Sequence, residues 1–177
     1  CSSDLISNKL KDILKKKFFY KKKIICRLGS IGPNHQIIEL VRSVKYWNKN
    51  LILILAGSDL DGYVKYIKNT INELQLKNRI FIFTDVTNKF WFEILSRSYI
   101  GICFYQEIGI SHKNMAGTSQ KFNNYIFGNI PFLVNKNKDF KIFNKKYKIC
   151  SMVNPSRPVE IAKKNNNLNV DKKKYFS

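Results

Sequence analysis

The strongest constraint on the fold is a recurrence. Short apolar runs at 24–28, 51–56, 80–83, 100–105, 130–134 and 149–153 are separated by stretches with a helical period. The runs are rich in Ile, Leu, Val and Phe and do not alternate with polar residues. That pattern belongs to strands covered on both faces, as in a parallel sheet. Between them, Ile37, Val41, Val44 and Trp47 fall on one helical face, as do Val64, Ile67, Ile71 and Leu74. Phe90, Ile94 and Leu95 form a third stripe, and Phe122, Tyr125 and Ile126 a fourth. Asn34, Asn88 and Ser119 are placed to cap helix starts, and Gly128 to close one. Strand–helix alternation with short connections predicts an α/β fold: a Rossmann-like parallel sheet of about six strands, helices on both faces and right-handed crossovers.

Residues 23–168 would make up this domain. Residues 1–22 read as a linker or hinge segment from an amino-terminal domain, basic over 9–23 with a weak helical pattern. Residues 169–177 read as a polar tail, with fraying expected from Lys163 onward. Beginning at Cys1 rather than Met, the sequence reads as a fragment or processed piece. No apolar run approaches the roughly 20 residues of a membrane span, and residues 1–25 lack the apolar core of a signal peptide. Cys1, Cys26, Cys103 and Cys150 are scattered, with no CxxC pair for zinc. Buried free thiols are expected, hence a reducing, cytoplasmic compartment, peripheral to a membrane at most.

The formal net charge is +20, from 32 Lys and Arg against 12 Asp and Glu. Such a charge raises nucleic acid or an anionic membrane surface as partner. Only five of the 32 basic residues are Arg. Excess Lys with abundant Asn, Ile, Tyr and Phe is what AT-rich coding produces, and nucleic-acid readers favour the bidentate Arg fork. Part of the charge is therefore read as compositional background. The lysine runs 15–17 and 21–23 read as solvated faces, with a membrane surface as the functional alternative. A basic nucleic-acid-binding α/β domain stays open as a rival, without an RRM, KH or C2H2 motif to support it.

Open parallel sheets bind ligands at the carboxyl ends of their strands. The first strand exits into Gly29-Ser30-Ile31-Gly32-Pro33-Asn34, whose small residues permit close backbone approach. It is not a GxGxxG fingerprint, and no GxxxxGK[ST] loop exists, which disfavours nicotinamide and P-loop nucleotide sites. The second and third strands exit into the compact polar loops Ala56-Gly57-Ser58-Asp59 and Thr84-Asp85-Val86-Thr87. Most informative is Gly117-Thr118-Ser119 leading into a helix that carries Lys121. Free backbone amides, two hydroxyls and an ammonium converge there, which makes an anion or phosphate site. Asn124 lies about one turn further on. His35 and His112 are the only histidines, with no partner spacing for a metal. No cofactor is expected. The stripe Phe90, Trp91, Phe92 reads as core.

The segment Ser119-Gln120-Lys121-Phe122-Asn123-Asn124-Tyr125-Ile126-Phe127-Gly128-Asn129-Ile130-Pro131 resembles the donor motif of GT-B glycosyltransferases of the group-1 or family-4 type. There a small-residue loop is followed by Lys, Glu-Tyr, Gly and a strand beginning near Pro. The resemblance runs in order through most of 23–168: Gly29 after the first strand, Ala56-Gly57 after the second, Asp85-Val86 after the third, and Tyr99-Ile100-Gly101-Ile102 before the donor loop. It implies the carboxy-terminal, nucleotide-sugar-binding half of an enzyme that moves a sugar from a nucleotide diphosphate, often UDP, to a glycan or lipid-linked acceptor. By that resemblance Gly29 and Ser30 line the donor site, Asp85 and Val86 bracket the base, Gly117, Thr118, Ser119 and Lys121 hold the pyrophosphate, and Asn124 meets the ribose. Lys121 would be the catalytic cation, stabilising the departing diphosphate. Two departures stand out: Asn124 replaces the family's usual Glu, and His35 falls where a Lys is usual. The first leaves a non-catalytic GT-B-like binding domain as a further alternative. A half-domain alone should catalyse little.

Overall fold

A computed structural model describes residues 22–106, 116 and 118–167. Six strands form one parallel sheet: β1 (Lys23–Leu28), β2 (Leu51–Ala56), β3 (Ile80–Phe83), β4 (Ser98–Cys103), β5 (Phe132–Asn135) and β6 (Cys150–Val153), in the order β3-β2-β1-β4-β5-β6. Six α-helices are interleaved among the described residues: α1 (Ile37–Ser43), α2 (Tyr63–Glu73), α3 (Asn88–Arg97), α4 (Gln120–Phe127), α5 (Lys138–Tyr147) and α6 (Pro158–Asn167). The strand order reverses between β1 and β4. Connections leave their carboxyl ends in opposite directions and open a crevice there.

Alternate strand residues feed two cores, one on each face of the sheet. Ile25, Leu53, Leu55, Ile100 and Ile102 pack with Leu40, Val41, Ile67 and Ile161, so α1, α2 and α6 cover one face. Cys26, Leu28, Ile52 and Ile54 pack with Phe90, Ile94, Phe122, Tyr125 and Phe140, so α3, α4 and α5 cover the other. Burial on both sides is why these strands read as apolar runs rather than alternations. Cys26, Cys103 and Cys150 are free and buried, and burial pushes the Cys26 and Cys150 thiols up to about 12. Among the described residues no helix is long and apolar enough to cross a membrane.

The structure departs from the sequence-based boundaries at several points; β5, for one, begins at Phe132 rather than Ile130. The helix expected to run from Asn34 to Trp47 is broken. Pro33–His35 forms a 3-10 turn, Gln36 takes a left-handed conformation (φ 51°), and α1 begins only at Ile37. The start of α3 is capped by Thr87, whose hydroxyl accepts from the Phe90 amide at 3.3 Å, rather than by Asn88. Strand β4 starts two residues early, because Ser98 joins the β1 ladder opposite Ile24. Fraying from Lys163 is replaced by helix to Asn167. Asn165 is buried there, and the Asn166 side chain accepts from the Asn48 amide at 2.8 Å and donates to the Tyr46 carbonyl at 3.0 Å. The Asn166 bonds to the chain before β2, together with buried Ile161 and Ala162, hold a helix end that hydropathy alone does not mark. The expected segments 1–22 and 169–177 lie outside the described residues, apart from Lys22.

Two of the five arginines turn inward. The Arg79 guanidinium donates to the carbonyls of Val44, Trp47, Asn48 and Leu51 at 2.7–3.3 Å, stapling the approach to β2. Arg27 lies within β1 itself and is 1% exposed.

Candidate functional site

A cavity of about 410 Å³ opens at the carboxyl ends of β1 and β4, lined by Gly29, Ser30, Gly57, Ser58, Val86, Trp91, Tyr105, Thr118, Ser119, Gln120 and Lys121. Its floor is two touching loops. Gly29 N donates to Ala56 O at 2.9 Å and Ile31 N to Ser58 O at 2.7 Å, extending the β1–β2 pairing past the strand ends. A Cβ on Gly57 would stand 2.1 Å from the Gly29 carbonyl oxygen, so only glycine lets these loops meet. Behind the floor, Arg27 Nη1 donates to the carbonyls of both Gly29 and Ser30. With both carbonyls turned toward Arg27, the loop is held in one conformation beneath the cavity.

One wall is the start of α4. Ser119 is its N-cap, accepting from the Phe122 amide at 3.3 Å. The Ser119 hydroxyl also bonds the Tyr105 hydroxyl at 2.5 Å, which fixes the opposite wall. The Gln120 and Lys121 amides belong to the first turn, which has no intrahelical acceptors for them. Asn135, at the end of β5, anchors Tyr105 from below. Its amide oxygen accepts from Tyr105 N at 2.8 Å, and its amide nitrogen donates to Tyr105 O at 2.9 Å and Gln36 Oε1 at 2.6 Å.

Lys121 closes the site. It is 8% exposed, and its Nζ lies 4.6 Å from the centre of the Tyr105 ring. It also overhangs the floor: a Cβ on Gly29 would come 3.1 Å from that nitrogen. Burial, then the neighbouring Arg27 charge, draws the Lys121 ammonium down to about 7; Cys103 opposes the shift. Burial likewise lowers Arg27 to about 10. Neither cation forms a salt bridge among the described residues. Arg27 Nε and Nη2 are buried with no hydrogen-bond partner there. Among the described residues the cavity lining contains no carboxylate. A buried ammonium in the lining, with a second buried cation behind the floor, is suited to an anionic ligand.

Of the residues singled out from sequence, Gly29, Ser30, Val86, Thr118, Ser119 and Lys121 meet around this cavity. Asp85 is exposed beside it in a left-handed conformation (φ 55°), and Val86, not Asp85, reaches the lining. Asn124 lines an adjoining cavity of about 170 Å³ with Leu28, Asn88, Trp91, Phe92, Leu95 and Gln120. Gly117 lies outside the described residues, as do Glu107 and His112. His35 packs edge-on against Tyr105 at 5.9 Å instead of lining the cavity. Phe90 is core, as expected, but Trp91 lines both cavities and Phe92 is 58% exposed. Arg27, Gly57, Tyr105 and Trp91 were not singled out as site residues. An arginine inside an otherwise apolar strand was the one sequence signal that could have found Arg27.

No protein-family model and no curated protein matches the chain. Solved structures do match. HepE from Anabaena, in complex with UDP and glucose, superposes with a TM-score of 0.73 at 16% identity, over 97% of this chain and 44% of that one. WaaG, a glycosyltransferase involved in lipopolysaccharide biosynthesis, gives 0.68 at 11% identity over 99% of this chain and 44% of its own. The chain has the fold of the carboxy-terminal half of a GT-B glycosyltransferase. It spans less than half of HepE and WaaG. By contrast it covers 84% of the separately crystallised C-terminal domain of LpcC, a group 1 family protein from Francisella tularensis (TM-score 0.66, 14% identity).

Proposed function

We propose that this chain is the donor-binding half of a glycosyltransferase that moves a hexose from a nucleotide diphosphate sugar, a UDP-sugar by preference, to a glycan or lipid-linked acceptor. The observation that carries the proposal is the buried Lys121 at the first turn of α4, with Arg27 buried behind the cavity floor and no acid among the described lining residues. HepE, which shares the fold, was crystallised with UDP-glucose. A diphosphate seated here would meet the ammonium of Lys121, the helix-terminal amides of Gln120 and Lys121, and the hydroxyls of Thr118 and Ser30. These groups favour negative charge where it accumulates as the glycosidic bond to the diphosphate breaks. Removing one such fixed donor typically costs 10²–10³ in rate, about 3–4 kcal/mol.

The remaining assignments follow that reading. Val86, after the turn at Asp85, would border the base, Asn124 the ribose, and Gly117 with Thr118 and Ser119 the pyrophosphate. The acceptor and the groups that activate it would come from the other half of the enzyme, so the chain alone would bind donor and turn over little. A cytoplasmic, membrane-peripheral role in cell-envelope polysaccharide synthesis suits the free thiols, the basic surface and a lipid-linked acceptor. Calorimetry of UDP, GDP and UDP-glucose against the 177-residue chain, with Lys121→Ala beside it, tests the core claim. Selective binding of one diphosphate, lost in the variant, supports it. Failure to bind any of them, with salt-sensitive RNA binding instead, would return the molecule to the nucleic-acid reading.

A further inference from the structure

The cavity asks more of its ligand than shape. Among the described residues, Lys121 is enclosed by groups that leave its charge uncompensated. From β1 it faces Arg27, and from β4 and its exit it faces Cys103 and Tyr105. Trp91 and Val86, from α3 and the loop before it, complete the cavity and carry no charge. A buried thiol, an aromatic face and a second cation cannot neutralise an ammonium, and each step of burial favours the neutral amine. The arrangement persists because Arg27 is itself fixed: its Nη1 is committed to the Gly29 and Ser30 carbonyls, so it cannot swing away from Lys121.

We propose that the site binds a nucleoside diphosphate together with a proton, which is taken up by Lys121, and that Arg27 is the positioning residue that adds to burial in producing this coupling. The inference rests on the donor-site reading given above. In the empty cavity the amine of Lys121 shares its enclosure with the Arg27 guanidinium, and burial together with that charge holds its proton affinity near neutrality. A diphosphate entering the cavity places negative oxygens beside the amine, and the charged form becomes the stable one. The proton comes from solvent and rests on Nζ; no bond to the sugar changes. Arg27 thus acts in two ways, by holding the loop carbonyls and by adding to burial in setting the charge state in which Lys121 waits.

Calorimetric titration of UDP into the 177-residue chain at about pH 8, in two buffers of very different ionisation enthalpy, measures the protons exchanged. At that pH the terminal phosphate of free UDP is already ionised, so uptake reports on the protein. The expected result is uptake approaching one proton per UDP. Lys121→Arg, permanently charged, should bind with no uptake. Arg27→Met, which removes the charge with an apolar side chain, should bind with clearly reduced uptake; a purely structural role for Arg27 would weaken binding and leave the proton count unchanged. UDP binding with identical heats in both buffers overturns the coupling and leaves the donor-site reading intact. Absence of binding by UDP and GDP alike overturns both.

Discussion

The Tyr125 ring covers Gly101 so closely that a Cβ on the glycine would stand 2.7 Å from the ring carbons. The contact joins α4 to β4, and the Tyr125 hydroxyl extends it to β1. That hydroxyl accepts from the Leu28 amide and can donate to the Ile102 carbonyl, both at 3.1 Å. Helix α4, which presents the cation and the helix-terminal amides, is thereby locked over the point where the strand order reverses. Gly101→Ala should destabilise the domain by about 1–3 kcal/mol through overpacking. Tyr125→Phe should cost about 1–3 kcal/mol by leaving the Leu28 amide unpaired. Urea unfolding of both variants checks this, with unchanged midpoints counting against the lock.

Stability should rise with pH just above neutrality in the ligand-free protein. Lys121 has its proton affinity lowered to about 7 on folding, from 10.5. Between those values the unfolded chain holds a proton that the folded chain does not, so raising pH favours folding. The slope can reach about 1.4 kcal/mol per pH unit. The trend reverses higher up. Cys26 and Cys150 are pushed up to about 12 from 9.0, so above pH 9 the unfolded thiols ionise while the folded ones do not. Urea midpoints across pH 7–9 should climb, and Lys121→Met should flatten the climb.

Much of this fold was legible in the sequence because the sheet is buried on both faces. All six residues of β2 are buried, and such a strand advertises itself by composition. Ser119 was legible as a cap and Lys121 as a cation in the following turn, because both are local signals. What was not legible depended on contacts distant in sequence. Asn135 looks like a strand-ending polar residue, yet it organises Tyr105 and Gln36 from 30 and 99 residues away. Trp91 sits in an aromatic triplet in which Phe90 is core, Trp91 lines both cavities and Phe92 forms an exposed edge of the smaller one, a division set by the turn of α3. Gln36 and Thr87 took over the helix starts because the backbone conformations that precede them decide the cap, and hydropathy does not record these.

Asn135 offers a test of how the cavity wall is held. Its side chain saturates both backbone groups of Tyr105, and Tyr105 in turn meets Ser119 and Lys121. Asn135→Leu keeps the branched outline and the number of heavy atoms but strands those buried groups, at about 1–3 kcal/mol each. The expected outcome is a lower unfolding midpoint and weaker UDP binding together. Full UDP affinity in a destabilised Asn135→Leu protein would show that the Tyr105 wall is dispensable for the ligand.

On the proposed donor-site reading, the position of Asn124 would separate the nucleoside from the phosphates. It lies on α4 one turn past Lys121, in the smaller cavity that shares Trp91 and Gln120 with the larger one. A diphosphate filling the larger cavity would direct its nucleoside past Trp91 into this space. An amide there can both donate to and accept from a ribose diol, as a carboxylate cannot. Asn124→Ala should therefore weaken UDP about tenfold, the ~1.4 kcal/mol of one lost polar contact, while leaving inorganic pyrophosphate affinity unchanged. Asn124→Glu should instead strengthen UDP binding through charge-assisted bonds to the diol. Equal losses of UDP and pyrophosphate in Asn124→Ala would mean that the residue acts through the helix start, and the ribose must then lie elsewhere.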